Sequence, residues 1–198
     1  MLQKMSHCLY DEKELIDIMF PKTTTLKNGK ELTIREARAA DSPQMIDYLN
    51  QVAGETDFLT FGGGEFWMTV EEESKFVEAH YLSENQISLL ALVEEEIIGI
   101  LNVNGTPKKR VKHCVDFGIS VLRSHWGIGV GSTLMNSMIE WAKSTGVIRK
   151  INLHVLAENK RAISFYKNLG FEEEGFIKRD TFVNGEFKDS YVMGLLID

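Results

Sequence analysis

Residues 120–143 read SVLRSHWGIGVGSTLMNSMIEWAK, and this stretch decides the fold. Three glycines at alternate positions, Gly127, Gly129 and Gly131, separate a strand-like run from a helical one. Glycine ahead of a helix costs backbone entropy, so three of them indicate a backbone that bends unusually or comes close to a ligand. Consecutive backbone N–H groups at a helix N-terminus hold an anion well, because the helix dipole adds to their partial charges. The stretch therefore predicts an anion site, and a glycine-rich turn that merely begins a helix is the alternative.

The glycine loop matches neither of two common phosphate-binding motifs. A P-loop needs Lys and then Ser or Thr after its last glycine, and no lysine follows Gly131. The dinucleotide pattern G-x-G-x-x-G, counted from Gly127, puts Ser132 where its last glycine belongs. What remains is a backbone cradle of N–H groups, of the kind that holds a pyrophosphate.

Composition and charge exclude several classes of protein. The chain has 198 residues, 43% of them hydrophobic and 26% charged, which is typical of one globular domain. A net charge of −7 argues against a nucleic-acid partner. No apolar run approaches the ~20 residues of a membrane span, and the N-terminus lacks the pattern of a signal peptide. Cys8 and Cys114 fit neither a disulfide framework nor a metal site, so we expect a cytoplasmic protein with no metal and no membrane partner.

Strand and helix patterns alternate along the chain. Asn28-Gly29 and Asn184-Gly185 each lie between two β-prone runs and predict hairpins. Apolar residues at helical spacing predict helices after Pro43, over residues 70–82, after the glycine loop and after Asn159. The alternation indicates one α/β domain with a mixed sheet. The predicted strands cover residues 31–36, 87–93, 97–105, 113–122, 150–156, 171–183 and 186–196.

Two segments together identify a family resemblance. The run VLRSHWGIGVGSTLM, followed by LHVLAENKRAISFYKNLGF, closely resembles the acetyl-CoA-binding core of the GNAT acyltransferase superfamily. The resemblance covers roughly residues 32–196. It implies a GNAT-like, mixed and largely antiparallel central sheet flanked by helices, in one domain at residues 31–198. Residues 1–30 would then be an N-terminal extension that contains a helix and the start of a hairpin.

One position departs from that family's pattern. GNAT proteins commonly carry Arg or Gln at the first position of Q/R-x-x-G-x-G/A, where this chain has Trp126. Gly129 and Gly131 match the two later positions. The departure removes one side-chain contact to the cofactor and leaves the backbone cradle, because N–H donors do not depend on the side chain.

The resemblance implies an N-acetyltransferase that moves an acetyl group from acetyl-CoA to a primary amine, of a small molecule or a peptide N-terminus, by direct attack in a ternary complex. Loop amides would hold the pyrophosphate, the strand DFGISVL would pair with the pantetheine arm, and the phenol of Tyr166 would act as general acid for the thiolate. For Tyr166 the alternative is an aromatic residue that only packs on the sheet. The implied cofactor contacts are Ile119, Val121, Trp126, Gly127, Ile128, Gly129, Val130, Gly131, Ser132, Asn159 and Tyr166.

The general base and the alternative function remain open in the sequence. Acyl transfer to an amine needs a base, and Asp116 and Glu55 are the candidates, although either could be an ordinary strand-end or loop acid. A non-catalytic acyl-CoA-binding regulatory module is the alternative to an enzyme. The intact Tyr166 favours the enzyme, whereas Trp126 is compatible with the module.

The acceptor and the oligomeric state are the least determined features. The irregular stretch GETDFLTFGGGEFWMT is either a loop folded over its own aromatic residues or a substrate-binding lid. Its aromatic residues, Phe58, Phe61, Phe66 and Trp67, could wall a pocket for an amine, and the acidic balance of the chain favours a cationic one. The C-terminal stretch DSYVMGLL could pair two copies as a homodimer through an exposed strand edge.

Overall fold

A computed structural model describes residues 19–198 of the chain. The predicted N-terminal helix before residue 19 lies outside the described residues. Eight strands follow one another: β1 (Lys22–Thr25), β2 (Glu31–Glu36), β3 (Ile87–Val93), β4 (Glu96–Asn104), β5 (Cys114–Val121), β6 (Lys150–Leu156), β7 (Glu172–Val183) and β8 (Glu186–Leu196).

The strands form one sheet in the order β1-β2-β3-β4-β5-β6-β8-β7. Within the described residues β5 and β6 are parallel neighbours, and every other neighbouring pair is antiparallel. Parallel neighbours need a long connection, and the glycine loop with the helix that follows it provides the crossover from β5 to β6. The predicted mixed and largely antiparallel sheet is confirmed.

Within residues 19–198 four α-helices cover the sheet: α1 (Ser42–Ala53), α2 (Val70–Tyr81), α3 (Val130–Ser144) and α4 (Lys160–Asn168). Side chains alternate across the sheet, so Leu89 and Leu90 on β3 enter two different apolar cores. The core with Leu89 also contains Leu134 of α3, and the core with Leu90 contains Met45 of α1. Helices α3 and α4 therefore lie on one face and α1 on the other. In the described part of the chain no helix is both long and apolar enough to cross a membrane.

Residues 19–30 belong to the sheet and its core. Strand β1 pairs with β2 along its whole length, and Phe20 and Leu26 are buried in the core that α3 covers. The turn between the two strands uses Gly29 at φ 83°, a conformation that glycine adopts without strain. The compact domain thus begins before residue 31.

Strand β8 lies inside the sheet. It pairs with β6 on one side and with β7 on the other, so the outermost strand at this end is β7. The prediction that DSYVMGLL offers an exposed strand edge is therefore wrong. Its backbone groups already have partners on both sides, because the chain turns back at Asn184 and inserts β8 between its neighbours.

Candidate active site

A groove opens between β5 and β6. The two strands pair only where Cys114–Asp116 lies beside Lys150–Asn152, although β5 continues to Val121 and β6 to Leu156. Beyond the last pair the strands diverge toward their C-terminal ends. In the described part of the chain no strand pairs with this edge of β5 beyond Asp116, which leaves room for an extended ligand.

The groove-facing backbone groups on β5 can be assigned from the register with β4. Leu122 donates its N–H to the carbonyl of Ile98, and bonding alternates along an antiparallel pair. The N–H and C=O groups of Ile119 and Val121 therefore point away from β4 and into the groove, as the pantetheine prediction requires. The Val121 carbonyl is already occupied, because Nε1 of Trp126 donates to it at 2.6 Å.

The glycine loop begins α3 with uncapped amides. Gly127 has φ 80° and Gly129, the N-cap residue, has φ 114°, so both positions need glycine. The first intrahelical bond runs from the Thr133 N–H to the Gly129 carbonyl. Among residues 19–198 no side chain caps the helix, so the N–H groups of Val130, Gly131 and Ser132 remain as donors.

Gly131 is explained by neither its conformation nor its neighbours. Its φ is not positive, and a Cβ there would meet only the ring edge of Phe165, at an ordinary 3.9 Å. An open surface of N–H groups without side chains fits the diphosphate of a nucleotide-like group, which must come close to the backbone. The residues present therefore fit the acetyl-CoA that the sequence implies.

The β1–β2 hairpin braces this loop. Lys27 donates its N–H to the Ile128 carbonyl at 3.2 Å, and Leu26 lies 3.9 Å from where a Gly129 Cβ would be. The hairpin thus contacts the loop through one backbone hydrogen bond and one apolar side chain. Sequence reasoning missed this contact, because no motif links two segments a hundred residues apart.

Tyr166 lies in an aromatic cluster under the groove. Its ring centroid is 5.9 Å from that of Phe117, 5.5 Å from that of Phe165 and 5.8 Å from that of Phe171. Among residues 19–198 its hydroxyl has no hydrogen-bond partner, and burial raises the pKa of Tyr166 to about 12. The phenol therefore stays protonated over the physiological pH range and is available as a donor.

Asn159 begins α4 as its N-cap. Its side-chain oxygen accepts the N–H of Ala162 at 3.1 Å. This bond uses the carbonyl of the side-chain amide and leaves the NH₂ group for a further partner. The predicted cofactor contact of Asn159 therefore falls to that NH₂ group.

A cavity of about 650 Å³ lies at the wide end of the groove. It joins the loop after α1, the turn after β5, the C-terminal end of β6 and the β7–β8 hairpin. Asn184 Nδ2 donates to Asp57 Oδ2 at 3.1 Å and connects the first of these segments to the last. The lining residues are Gly54, Glu55, Thr56, Asp57, Phe58, Arg123, Trp126, Leu156, Glu158, Val183, Asn184, Glu186 and Lys188.

The two candidate bases occupy different places. Glu55 lines the cavity, and its Oε2 accepts the Arg123 N–H at 2.6 Å. Asp116 is exposed at the narrow end of the groove, in the last pair of β5 with β6, and is not part of the cavity lining. Phe117 is buried beside Tyr166 on the α4 face, so Asp116 faces the opposite side of the sheet.

The aromatic residues of the loop between α1 and α2 divide between packing and the cavity. Phe61 and Phe66 lie 5.4 Å apart, ring centroid to ring centroid, and both pack against the core under α1. Phe58 lines the cavity, whereas Trp67 is 78% exposed. The loop is therefore folded over its own aromatic residues at one end and open to a ligand at the other.

The Trp126 ring contacts two arginines that sequence reasoning did not single out. The guanidinium carbon of Arg161 lies 5.0 Å from the centroid of its ring, and that of Arg123 lies 5.6 Å away. Both distances fit cation–π contacts. Positive charge therefore stands at the start of the glycine loop, although residue 126 itself is neutral.

Comparison with known proteins agrees with this arrangement. The profile of the acetyltransferase (GNAT) family matches residues 52–171, more than half of the chain. The chain belongs to this family. The GNAT match includes the glycine loop, Asn159 and Tyr166.

Three relatives of this GNAT chain differ in how much they share with it. L-amino acid N-acetyltransferase AaaT of Escherichia coli is 39% identical over 106 residues, which is 53% of this chain and 65% of that protein. Spermidine N(1)-acetyltransferase of Vibrio cholerae is 30% identical over 177 residues, 85% of this chain and 94% of that protein. A crystal structure of a GNAT-family acetyltransferase from Streptococcus pneumoniae matches with a TM-score of 0.82 at 38% identity, covering 84% of this chain and 99% of that one.

Proposed function

We propose that this GNAT protein is an acetyl-CoA-dependent N-acetyltransferase, in which a primary amine attacks the acetyl group directly in a ternary complex. The observation that carries the proposal is the uncapped first turn of α3, whose glycine-lined N–H groups stand beside the free edge of β5. Acetyl-CoA, when bound, supplies an acetyl thioester whose carbonyl carbon accepts the amine and whose thiol leaves.

The chain supplies binding, orientation and proton handling. The N–H groups of Val130, Gly131 and Ser132 would bind the diphosphate, and the backbone of Ile119 would hold the pantetheine arm in the groove. The hydroxyl of Tyr166 would donate to the departing sulfur. The ammonium group of the acceptor loses two protons over the reaction. One would pass to a carboxylate and on to solvent, and the second would end on the departing sulfur, so atoms and charge balance.

The acceptor is an amine that arrives with positive charge. Four carboxylates line the cavity, against two basic side chains. Lys188 is paired with Glu158 and Glu186 at 2.9 and 2.7 Å. Glu55 and Asp57 have no ion-pair partner within 4.0 Å among residues 19–198. The surplus of negative charge attracts an ammonium group, as in a small cationic amine or a peptide N-terminus. The names of two relatives, which act on an L-amino acid and on spermidine, fit this range.

We propose Glu55 rather than Asp116 as the base, because the cavity contains only Glu55 of the two. In Glu55→Gln the amide oxygen still accepts the Arg123 N–H, so the loop keeps its anchor while the base is removed. We expect kcat/KM to fall roughly 10²-fold in Glu55→Gln and less than about 3-fold in Asp116→Asn, measured as thiol release with a good acceptor. The reverse order would assign the base to Asp116.

The experiment that tests the function is a thiol-release screen with acetyl-CoA over a panel of amines. The panel should hold L-amino acids, polyamines, aminoglycosides and short peptides, with N-blocked forms of the same compounds as controls. Release that depends on a free amine supports the transferase. Acetyl-CoA binding with no release on any amine would instead favour the non-catalytic acyl-CoA-binding module.

A further inference from the structure

We propose that Trp126 positions Arg161 and Arg123 as a pair of phosphate-binding side chains beside the glycine loop. The family commonly has Arg or Gln at position 126. In this chain the neutral indole would compensate for the missing side chain by holding two arginines close to that position. The inference rests on the proposed function, since its ligand is the phosphate portion of acetyl-CoA.

The indole is fixed from one edge and contacts cations through its ring. Nε1 donates to the Val121 carbonyl at 2.6 Å, which sets the orientation of the ring. Arg161 and Arg123 lie 5.0 and 5.6 Å from the ring centroid. Arg123 is also anchored by a hydrogen bond from Nη2 to the backbone carbonyl of Glu55. Both arginines are therefore held on the same aromatic side chain.

Neither guanidinium is neutralised. Within residues 19–198 no carboxylate oxygen lies within 4.0 Å of Arg161 or Arg123, whereas Lys188, which lines the same cavity as Arg123, is ion-paired. A guanidinium that contacts a ring through its face keeps its N–H donors at the edge, where they suit phosphate oxygens. In a chain of net charge −7, two unpaired arginines at one ring make a local anion-attracting spot.

The pair lies between the cradle and the acceptor cavity, which Trp126 and Arg123 also line. Trp126 directly precedes Gly127, and Arg161 is in the first turn of α4. Phe165 of the same helix is the nearest neighbour of Gly131, so α4 packs against the loop. A phosphate bound by the first-turn amides of α3 would therefore lie close to α4, the helix that carries Arg161. The N-terminal end of α4 adds positive potential on that side.

The test is calorimetric titration of CoA into purified protein and variants at fixed salt. We expect Arg161→Gln to weaken binding about tenfold. Lys160→Gln, which removes the same charge one residue earlier where no ring contact exists, should change it less than about threefold. Trp126→Leu, which removes the ring contact of both arginines, should weaken binding at least as much as Arg161→Gln, and Trp126→Phe, which keeps a ring face, should weaken it less. The affinity of the double variant Trp126→Leu/Arg161→Gln for CoA should lie within about threefold of that of the weaker-binding single variant, because the two changes remove the same contact.

The same titration with 3′-dephospho-CoA assigns the phosphate. If the Arg161→Gln effect disappears, the guanidinium binds the 3′-phosphate, and if it persists, the diphosphate is the partner; both results support the pair. Binding by Arg161→Gln within threefold of wild type would overturn the inference, as would fully additive losses in the double variant. Absence of CoA binding by wild type would refute the proposed function itself, and this inference with it. Unfolding midpoints of all variants serve as the folding control.

Discussion

Tyr166 combines a largely buried side chain with a raised pKa, and the two together limit its role. Its pKa of about 12 lies well above the ~8.5 of a thiol, so complete proton transfer to a thiolate is uphill by roughly 5 kcal/mol before any effect of the bound ligand. Donation of a hydrogen bond to the developing thiolate has no such cost. In the proposed reaction the phenol would therefore stabilise negative charge on sulfur, and water would complete the proton transfer.

We expect Tyr166→Phe to lower kcat roughly 10²-fold with KM for acetyl-CoA changed less than about 3-fold, because the hydroxyl acts on the leaving group only. Steady-state thiol release measures both constants. Tyr191→Phe is the matched control, because it removes a phenol hydroxyl from a tyrosine outside the proposed site. The Tyr191 ring centroid lies 5.0 Å from that of Phe176. An equal loss in both variants, or a loss confined to KM, would contradict the role assigned to Tyr166.

His80 makes stability depend on pH. It is 3% exposed, its Nδ1 lies 2.9 Å from Ser88 Oγ, and burial lowers its pKa from the ordinary 6.5 to about 4. The unfolded chain therefore binds a proton that the folded chain does not bind between those values. Stability from this residue is complete above pH 6.5 and declines as the pH falls toward 4.

For wild type we expect roughly 2 kcal/mol of the free energy of unfolding to be lost through His80 between pH 7 and pH 5. Denaturant unfolding at both values measures the loss. His80→Asn, which keeps a polar atom near Ser88 but does not titrate there, should lose correspondingly less. The same pH dependence in variant and wild type would show that other groups cause it.

Residue roles differ in how far sequence could assign them. Gly127 and Gly129 are recognisable, because positive φ values have a local cause that selects glycine. The partners of Trp126 are not, since Arg161 comes from a helix that begins after an intervening strand. Glu55 and Asp116 look alike in sequence, and only their positions relative to the cavity separate them.

Among the elements, α4 begins at Asn159, which caps the helix and for which we propose a second role as a cofactor contact. Asn159→Ala should lower the free energy of unfolding by about 1 kcal/mol, because the cap on Ala162 is lost. Asn159→Ser retains a capping oxygen and should keep the stability, yet it should bind CoA more weakly because the side-chain NH₂ group is gone. Thermal unfolding and CoA titration of both variants separate the roles. Wild-type affinity in Asn159→Ser would leave Asn159 as a cap alone.

The sequence predicts those elements whose conformation is set by neighbouring residues, such as the two hairpins. Both Asn-Gly turns form hairpins, and at Asn184 and Gly185 the φ values of 52° and 84° are those of a type I′ turn. The position of β8 was not predictable in the same way. Its alternation suits an edge or an interior strand equally, and the insertion between β6 and β7 depends on long-range pairing with Lys150–Leu156.

At the scale of the whole molecule, the cavity is assembled from segments far apart in the chain. The Asn184–Asp57 hydrogen bond joins residues separated by 127 positions, and the Arg123–Glu55 contacts join residues separated by 68. No local pattern encodes such contacts, so the sequence indicated the conformation of the glycine loop but not the residues that come together around the cavity. The cradle lies within one continuous stretch, whereas the acceptor cavity depends on the completed fold.

The measurement that tests the central claim most directly is titration of acetyl-CoA into wild type, Gly131→Asp and Asn136→Asp. An acid in the first turn suits the helix dipole, so Gly131→Asp should fold with an unchanged or slightly higher unfolding midpoint while it repels phosphate from the cradle. Asn136→Asp adds the same charge at an exposed site five residues later in α3. We predict that wild type and Asn136→Asp bind acetyl-CoA and that Gly131→Asp loses binding at least about 30-fold. Equal binding by all three, or no binding by wild type, would contradict the glycine loop as the acetyl-CoA cradle.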